Sequence, residues 1–209
     1  MPYNSYMDKS DDNVASLPVA DDSLPSAAGA SLQAADGQAE RDRHFMGLAL
    51  AQARQAGAIG EVPIGAVVAI GDRLVASAHN RREVDADPAA HAEFSAICAA
   101  AAQLGRWRLS DCTVYVTLEP CLMCAGLMLQ ARIARCVYGA PDPKAGALGT
   151  LYCVNADSRL NHRFAVESGV LAAESAELLR GFFVALRGRG AAGRGETGQG
   201  AAERGGGDG

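Results

Sequence analysis

The sequence predicts an α/β domain built around a mixed sheet. Three observations predict it. Short β-branched runs alternate with amphipathic helical stretches through the middle of the chain. Two of those runs are joined by a Gly-Asp pair, the signal of an antiparallel hairpin. Two others flank a helix, which calls for a parallel crossover, right-handed by the usual rule.

The elements follow in chain order. "DRHFMGLALAQARQAG" carries apolar residues at helical spacing and stops at Gly57, so it reads as a first helix. "VPIGAVVAI" is a β-branched run, Gly71-Asp72 a tight turn, and "RLVASAH" the return strand. "DPAAHAEFSAICAAAAQLG" reads as a second helix, with Asp87 as N-cap, Pro88 in the first helical position and Gly105 as the stop. "TVYVTLE" alternates and reads as a third strand. Pro120 then opens a third helix, "PCLMCAGLMLQARIA". "RCVYGA" is a fourth strand and "HRFAVESGV" a weaker fifth. "AAESAELLRGFFVALR" closes the domain as an amphipathic helix.

Composition sets the boundaries. Hydrophobic residues make up 49% of the 209, enough for a sizeable core. Residues 1–40 are rich in Ser, Asp and Ala without a sustained period and read as a disordered acidic leader. Residues 188–209, "GRGAAGRGETGQGAAERGGGDG", read as a disordered Gly/Arg-rich tail. Residues 41–187 remain as one domain. The net charge of −5 belongs to the leader, which has one lysine against seven acids; the domain has fifteen basic and fourteen acidic side chains. The acidic pI therefore does not exclude a nucleic-acid partner for the domain, and no basic run demands one. No apolar run reaches the roughly 18–20 residues of a membrane helix. The first residues lack the basic region and apolar run of a secretory signal. A cytoplasmic location with reduced thiols is expected.

Of six cysteines, only Cys121 and Cys124 stand as a C-x-x-C. The reducing location weakens a disulfide and leaves metal binding or redox exchange. A structural zinc needs four ligands, and neither a second C-x-x-C nor a histidine pair is present. The decisive addition is "HAE", His91 to Glu93, at the start of the second helix. If the two helix starts converge, His91, Cys121 and Cys124 hold one zinc and leave its fourth position open, the catalytic arrangement. Helix N-termini favour the thiolate form. Glu93 would stand beside the metal as a proton carrier. Taken singly, His91 is an ordinary helix-start histidine, Glu93 a solvated charge and each cysteine a small core residue; their joint spacing argues for the metal.

The combination H-x-E with P-C-x-x-C is the pattern of zinc nucleobase deaminases. The chain resembles the cytidine deaminase superfamily, and within it the bacterial tRNA-specific adenosine deaminases. The resemblance runs from about Arg41 to Arg187 through "EVPIGAVV", "HNRREVDADPAAHAE", "TLEPCLMCAGLMLQARIARCVYGAPDPKAGALG" and "NHRFAVESGVLAAESAELLRGFF". "RIARCVYGAPDPKAGALG" and "NHR" narrow it to the tRNA enzymes; H-A-E and P-C-x-x-C alone also fit deaminases of free nucleobases or nucleosides of guanine or cytosine type.

The resemblance implies a cytidine deaminase-like three-layer α/β/α sandwich with a mixed five-stranded sheet. It implies a homodimer with one zinc per subunit and hydrolysis of the wobble adenosine of a tRNA anticodon stem-loop to inosine. By position, His91, Cys121 and Cys124 match the zinc ligands and Glu93 the proton shuttle. Asn80 matches a base- or ribose-contacting asparagine, Asp142 an aspartate near a loop sugar and His162 a residue near the RNA. The backbone amides of Ala92 and Cys121 would bond the base edge and the tetrahedral hydroxyl. Where the family often has Arg, this chain has Pro141, and "GALGT" replaces the more usual "GAAGS". Arg81, Arg82, Lys144, Arg159, Arg163, Arg180 and Arg187 are candidates to meet phosphates, and Phe182 or Phe183 to stack on a base, against the plainer reading of solvated charges and core aromatics.

Overall fold

A computed structural model describes residues 27–195. Within them a five-stranded sheet runs in the order β2-β1-β3-β4-β5. The strands are β1 (Gly65–Ile70), β2 (Arg73–His79), β3 (Thr113–Leu118), β4 (Arg135–Ala140) and β5 (Ala165–Ser168). β1 is antiparallel to both β2 and β3, whereas β3, β4 and β5 are parallel, so the sheet is mixed. Helices α2 (Ala92–Leu104) and α3 (Leu122–Ala131) cover one face; α1 (Ala27–Ala58) and α4 (Ala172–Gly195) cover the other. This is the expected three-layer sandwich.

Period-two alternation divides the strands between the two faces. Ala66 and Val68 of β1, Val114 and Val116 of β3, and Cys136 and Tyr138 of β4 pack with Ala96, Ile97 and Ala100 of α2 and Met128 of α3. Val67, Ala69, Tyr115 and Val137, the residues between them, pack with Phe45, Met46 and Ala49 of α1. Both faces are covered, which is why these strands read as nearly unbroken apolar runs. At Gly65 the backbone of α1 comes so close that a Cβ would overlap the Ala49 carbonyl and the Ala53 amide. Only glycine permits that approach.

Several element boundaries differ from expectation; three of them bear on the site and on the ends of the domain. α2 starts at Ala92 rather than at Pro88. The Asp87 carboxylate accepts the Ala89 amide at 2.8 Å and its carbonyl accepts the Ala90 amide, so Asp-Pro-Ala-Ala closes a separate turn ahead of the helix. α1 begins at Ala27, inside the segment expected to be a disordered leader, because the Ala- and Gln-rich run before Arg41 favours helix. α4 continues past Arg187 to Gly195, into the segment expected to be tail. The rest of the expected leader and tail, residues 1–26 and 196–209, lies outside the described residues.

An ionic cluster ties α1 to the sheet. Asp42 accepts two hydrogen bonds from Arg135, at 2.7 and 2.8 Å, one from the Tyr115 hydroxyl at 3.0 Å and one from Gln38 at 2.9 Å. Burial raises the Asp42 pKa, but the bonds from Arg135, then Gln38 and Tyr115, outweigh it and hold the carboxyl below its ordinary value of 3.8. The ionised form is therefore favoured by folding. Its contribution is complete above the ordinary carboxylate range and is lost as pH falls through the lowered native value. Asp42→Ala is expected to cost roughly 3 kcal/mol at pH 7, because it leaves the partly buried Arg135 with only the longer 3.8 Å pair to Glu167 and removes the acceptor of the Tyr115 hydroxyl. Urea unfolding at descending pH checks this: the gap to wild type should shrink in acid, and a constant gap would mean that the pair contributes nothing through charge.

Candidate metal and catalytic centre

The C-terminal end of β3 gathers the site. α2 and α3 both begin there, and their N-caps are His91 and Cys121. Both residues have extended backbone, φ −75° with ψ 148° and φ −75° with ψ 173°, and neither side chain caps its own helix. The N-cap position usually spends its side chain on the helix's free amides. Here the imidazole and the thiol are left free, and they point at each other.

His91 Nδ1 lies 3.7 Å from Cys121 Sγ and 3.6 Å from Cys124 Sγ. All three ligand atoms fall within 4.8 Å of one another. With Zn–N of about 2.0–2.1 Å and Zn–S of about 2.3 Å, tetrahedral ligands stand about 3.5 Å apart. The donor set therefore fits a tetrahedral cation without rearrangement, and the three residues form a group that can hold a metal ion. Cys124 is fully buried, one turn into α3.

The thiols are electrostatically unlike. A hydrogen bond from Cys124, then one from His91, brings the Cys121 thiol down to about 3 against the effect of burial. The same bond and burial push Cys124 upward. A thiol must lose its proton to ligate a cation. His91 is raised, chiefly by its bond to Cys121. A bound dication would take the place of these protons.

Glu93 is the next buried group, 4% exposed. Burial raises its carboxyl to about 6, against the opposing effects of its own backbone amide and His91. A carboxyl with that affinity can both take and give a proton near neutrality. A cavity of 180 Å³ opens beside these groups, and His91, Glu93, Cys121, Asn80 and Asp142 all line it. Arg82 stands at its wall as well. Val62, Ile64 and Leu118 give it an apolar side.

Of the eight expected site residues, the structure brings six side chains and one backbone together. Ala92, fully buried in the first turn of α2, contributes its amide at the N-terminus of that helix. His162 is the exception. It does not line the cavity, and its Nε2 sits 2.9 Å from the Ile133 carbonyl, beyond the far end of α3.

Two glutamates that the sequence reading passed over shape the site. Glu61 is wholly buried and bonds Asn80. Glu119 accepts the amides of Leu148 and Thr150 at 3.0 Å, that of Asp142 at 3.1 Å, and the Thr150 hydroxyl. Burial raises the Glu119 pKa, but the Thr150 hydroxyl and the amides outweigh it, so the carboxyl is held below its ordinary range. Residues 142–150 thus wrap around one carboxylate, and Asp142 is fixed at the cavity mouth. A Cβ on Gly146 would collide with that carboxylate, which explains the glycine in "KAGALG". In sequence each glutamate stands beside a proline-containing turn, in "EVP" and "LEP".

Outside this centre, a larger groove of 560 Å³ runs between the end of α1 and α4, past Pro63 and Phe182. It contains none of the titratable groups described above. Phe182 faces it, whereas Phe183 is 42% exposed beside Lys144, Arg180 and Arg187. No described helix is long and apolar enough to cross a membrane.

Residues 40–187 match the MafB19-like deaminase family. The chain is 46% identical over 147 residues to a tRNA-specific adenosine deaminase of Bacillus subtilis, covering 70% of this chain and 91% of that one. A solved tRNA:A34 deaminase, studied for A-to-I editing at the wobble position of transfer RNA, superposes with a TM-score of 0.63 at 46% identity. That likeness covers 65% of this chain and 99% of the other. A guanine deaminase from Nitrosomonas europaea superposes with a TM-score of 0.57 at 26% identity, over 67% and 83% of the two chains.

Proposed function

Because the chain belongs to the tRNA-specific adenosine deaminases of the cytidine deaminase-like superfamily, we propose that it converts the wobble adenosine of a tRNA anticodon loop to inosine, using one zinc ion per subunit. The observation that carries the proposal is the convergence of His91, Cys121 and Cys124 within 4.8 Å, with the buried Glu93 beside them on the wall of the cavity.

His91 Nδ1 and the two sulfurs would hold the zinc. When bound, it supplies a Lewis acid that brings the pKa of water down toward ~7. Glu93 does the proton work. It takes a proton from the attacking water as oxygen bonds to carbon 6 of adenine, and passes that proton to the adjacent ring nitrogen. It carries the second proton to the amine, the carbon–nitrogen bond breaks, and ammonia leaves. Water plus adenosine thus gives inosine plus ammonia. The Ala92 and Cys121 amides, at the positive ends of α2 and α3, face the base edge and the developing oxyanion.

Asn80 and Asp142 line the cavity and are assigned to the target nucleotide. The target carbon must leave its stack to be reached, which suits an unpaired loop. In this reading the exposed Lys144, Arg180 and Arg187 meet phosphates near the mouth. His162, with exposed Arg159 and Arg163 nearby in sequence, meets the loop away from the reacting base. Residues 41–187 are the deaminase domain, and the enzyme works as a cytoplasmic homodimer. Exposed Leu122 and Met123 at the start of α3 are apolar residues a second copy would cover.

The likeness to a guanine deaminase keeps a second reading, deamination of a free base. One experiment separates the two. Incubation of the zinc-loaded protein with bulk tRNA is expected to yield inosine, read by mass spectrometry as a one-dalton change. Free guanine, cytosine and adenosine are expected to stay unchanged. Turnover of a free base with untouched tRNA would reverse the assignment.

A further inference from the structure

Glu61 has no exposed surface and does not line the cavity, although Val62 beside it does. Its Oε1 accepts the Glu83 amide at 2.7 Å and the Val84 amide at 2.8 Å. Its Oε2 accepts a hydrogen bond from Asn80 Nδ2 at 2.9 Å. Two of these three donors are backbone amides, which cannot turn round. A carboxylate offers acceptors only, whereas an asparagine amide can present either its oxygen or its amino group. Facing Glu61, Asn80 has one permitted orientation: amino group toward the carboxylate, Oδ1 turned away. Among the described residues, the bond to Glu61 is the only side-chain hydrogen bond Asn80 makes. Asn80 is 4% exposed and lines the cavity, so Oδ1 is left for the ligand.

We infer that Glu61 is a positioning residue that sets the hydrogen-bonding polarity of the cavity wall at Asn80, making that wall an acceptor that selects a ligand with a hydroxyl or N–H at that point. The inference rests on the adenosine reading for the identity of the ligand, but not for the polarity itself. Adenosine has such donors in its ribose hydroxyls and exocyclic amine, while its ring nitrogens accept.

The chemistry gives a test that a simple fold brace would not pass. Glu61→Gln keeps an oxygen for the two backbone amides but places an amino group against Asn80. Asn80 must then turn its oxygen toward Gln and its amino group toward the cavity. Asn80→Asp alone sets two carboxylates against each other. The double substitution E61Q/N80D pairs the new amino group with one aspartate oxygen and leaves the other oxygen facing the cavity, which restores an acceptor.

With zinc-loaded proteins and an anticodon stem-loop, E61Q is expected to lose roughly 10- to 100-fold in kcat/KM. N80D should lose at least as much. The double variant should return to within about tenfold of wild type, where independent losses would multiply to roughly 10²- to 10⁴-fold. Side-chain amide exchange in ¹⁵N-labelled protein reads the orientation without substrate. One Asn80 amino proton should be slowed in wild type and both released in E61Q. Wild-type activity in a fully folded E61Q, or no recovery in the double variant, overturns the inference. An unmodified stem-loop with the wild-type exchange pattern intact would instead remove the adenosine assignment and leave the polarity standing.

Discussion

Replacing Glu93 with alanine is expected to abolish deamination by at least about 10³-fold while leaving the bound zinc in place. The two halves of this expectation have different causes. The ligand set is His91, Cys121 and Cys124, and the Glu93 carboxylate is not part of it, so metal content should be unchanged. Catalysis needs one group to remove a proton from water, hand it to the ring and then protonate the departing amine. A single positioned acid or base contributes roughly 10²–10⁴, and here one carboxyl serves successive transfers. Its burial raises the carboxyl to about 6, which suits both directions of transfer near neutrality. Glu93→Gln should behave like alanine, because an amide keeps the volume but does not ionise near neutrality and so cannot relay the proton. Elemental analysis and inosine yield on the same preparation check both halves. Near-normal inosine formation in either variant would remove Glu93 from the mechanism, and loss of zinc would make it a ligand instead.

The centre was legible because its chemistry is local in sequence. H-x-E and P-C-x-x-C each occupy one helix start, so the only missing information was that the two starts meet. The parallel pairing of β3 with β4, together with antiparallel β1, supplies it by stacking α2 and α3 on one face. β2 could be delimited because turn residues bound a β-rich run on each side, and the end of β4 because Pro141-Asp142-Pro143 follows it. The start of α2 could not. Asp87-Pro88 has the chemistry of a helix N-terminus, but the chain spends it on a separate turn. That turn is what leaves His91 as the N-cap, with an extended backbone and a free ring.

Glu61 and Glu119 were invisible for a different reason. A glutamate beside a proline-containing turn carries no periodicity, and nothing local says whether it meets water or three amides. Their partners lie 19 to 31 residues away in the chain, so only the folded loops reveal them. His162 lies apart from the cavity, with its Nε2 2.9 Å from the Ile133 carbonyl; a motif such as "NHR" places a residue in a loop without fixing its distance from the reacting base.

Cys124→Ser should produce the other large effect, this time on the metal itself. Cys124 is fully buried and its sulfur stands 3.6 Å from His91 Nδ1. A serine hydroxyl is shorter, harder and not ionised at neutral pH, so it replaces the thiolate poorly as a zinc ligand. Zinc stoichiometry should fall from about one per chain to well below half, and inosine formation should fall with it. Stability supplies an independent readout. Zinc that binds only the folded chain stabilises it by mass action, about 4 kcal/mol at a thousandfold excess over Kd. For a chain of this length that corresponds to a Tm shift on the order of 10 °C. Wild-type Tm should therefore drop on chelation and recover when zinc is returned, whereas Cys124→Ser should melt at one temperature with or without zinc. Cys98, exposed on α2 and outside the ligand set, gives the control. Cys98→Ser should keep both its zinc and the chelation shift. A Cys124→Ser protein that retains a full equivalent of zinc and the same shift would show that the cation is held elsewhere, and the reading of the C-x-x-C as half of a catalytic metal site would fall with it.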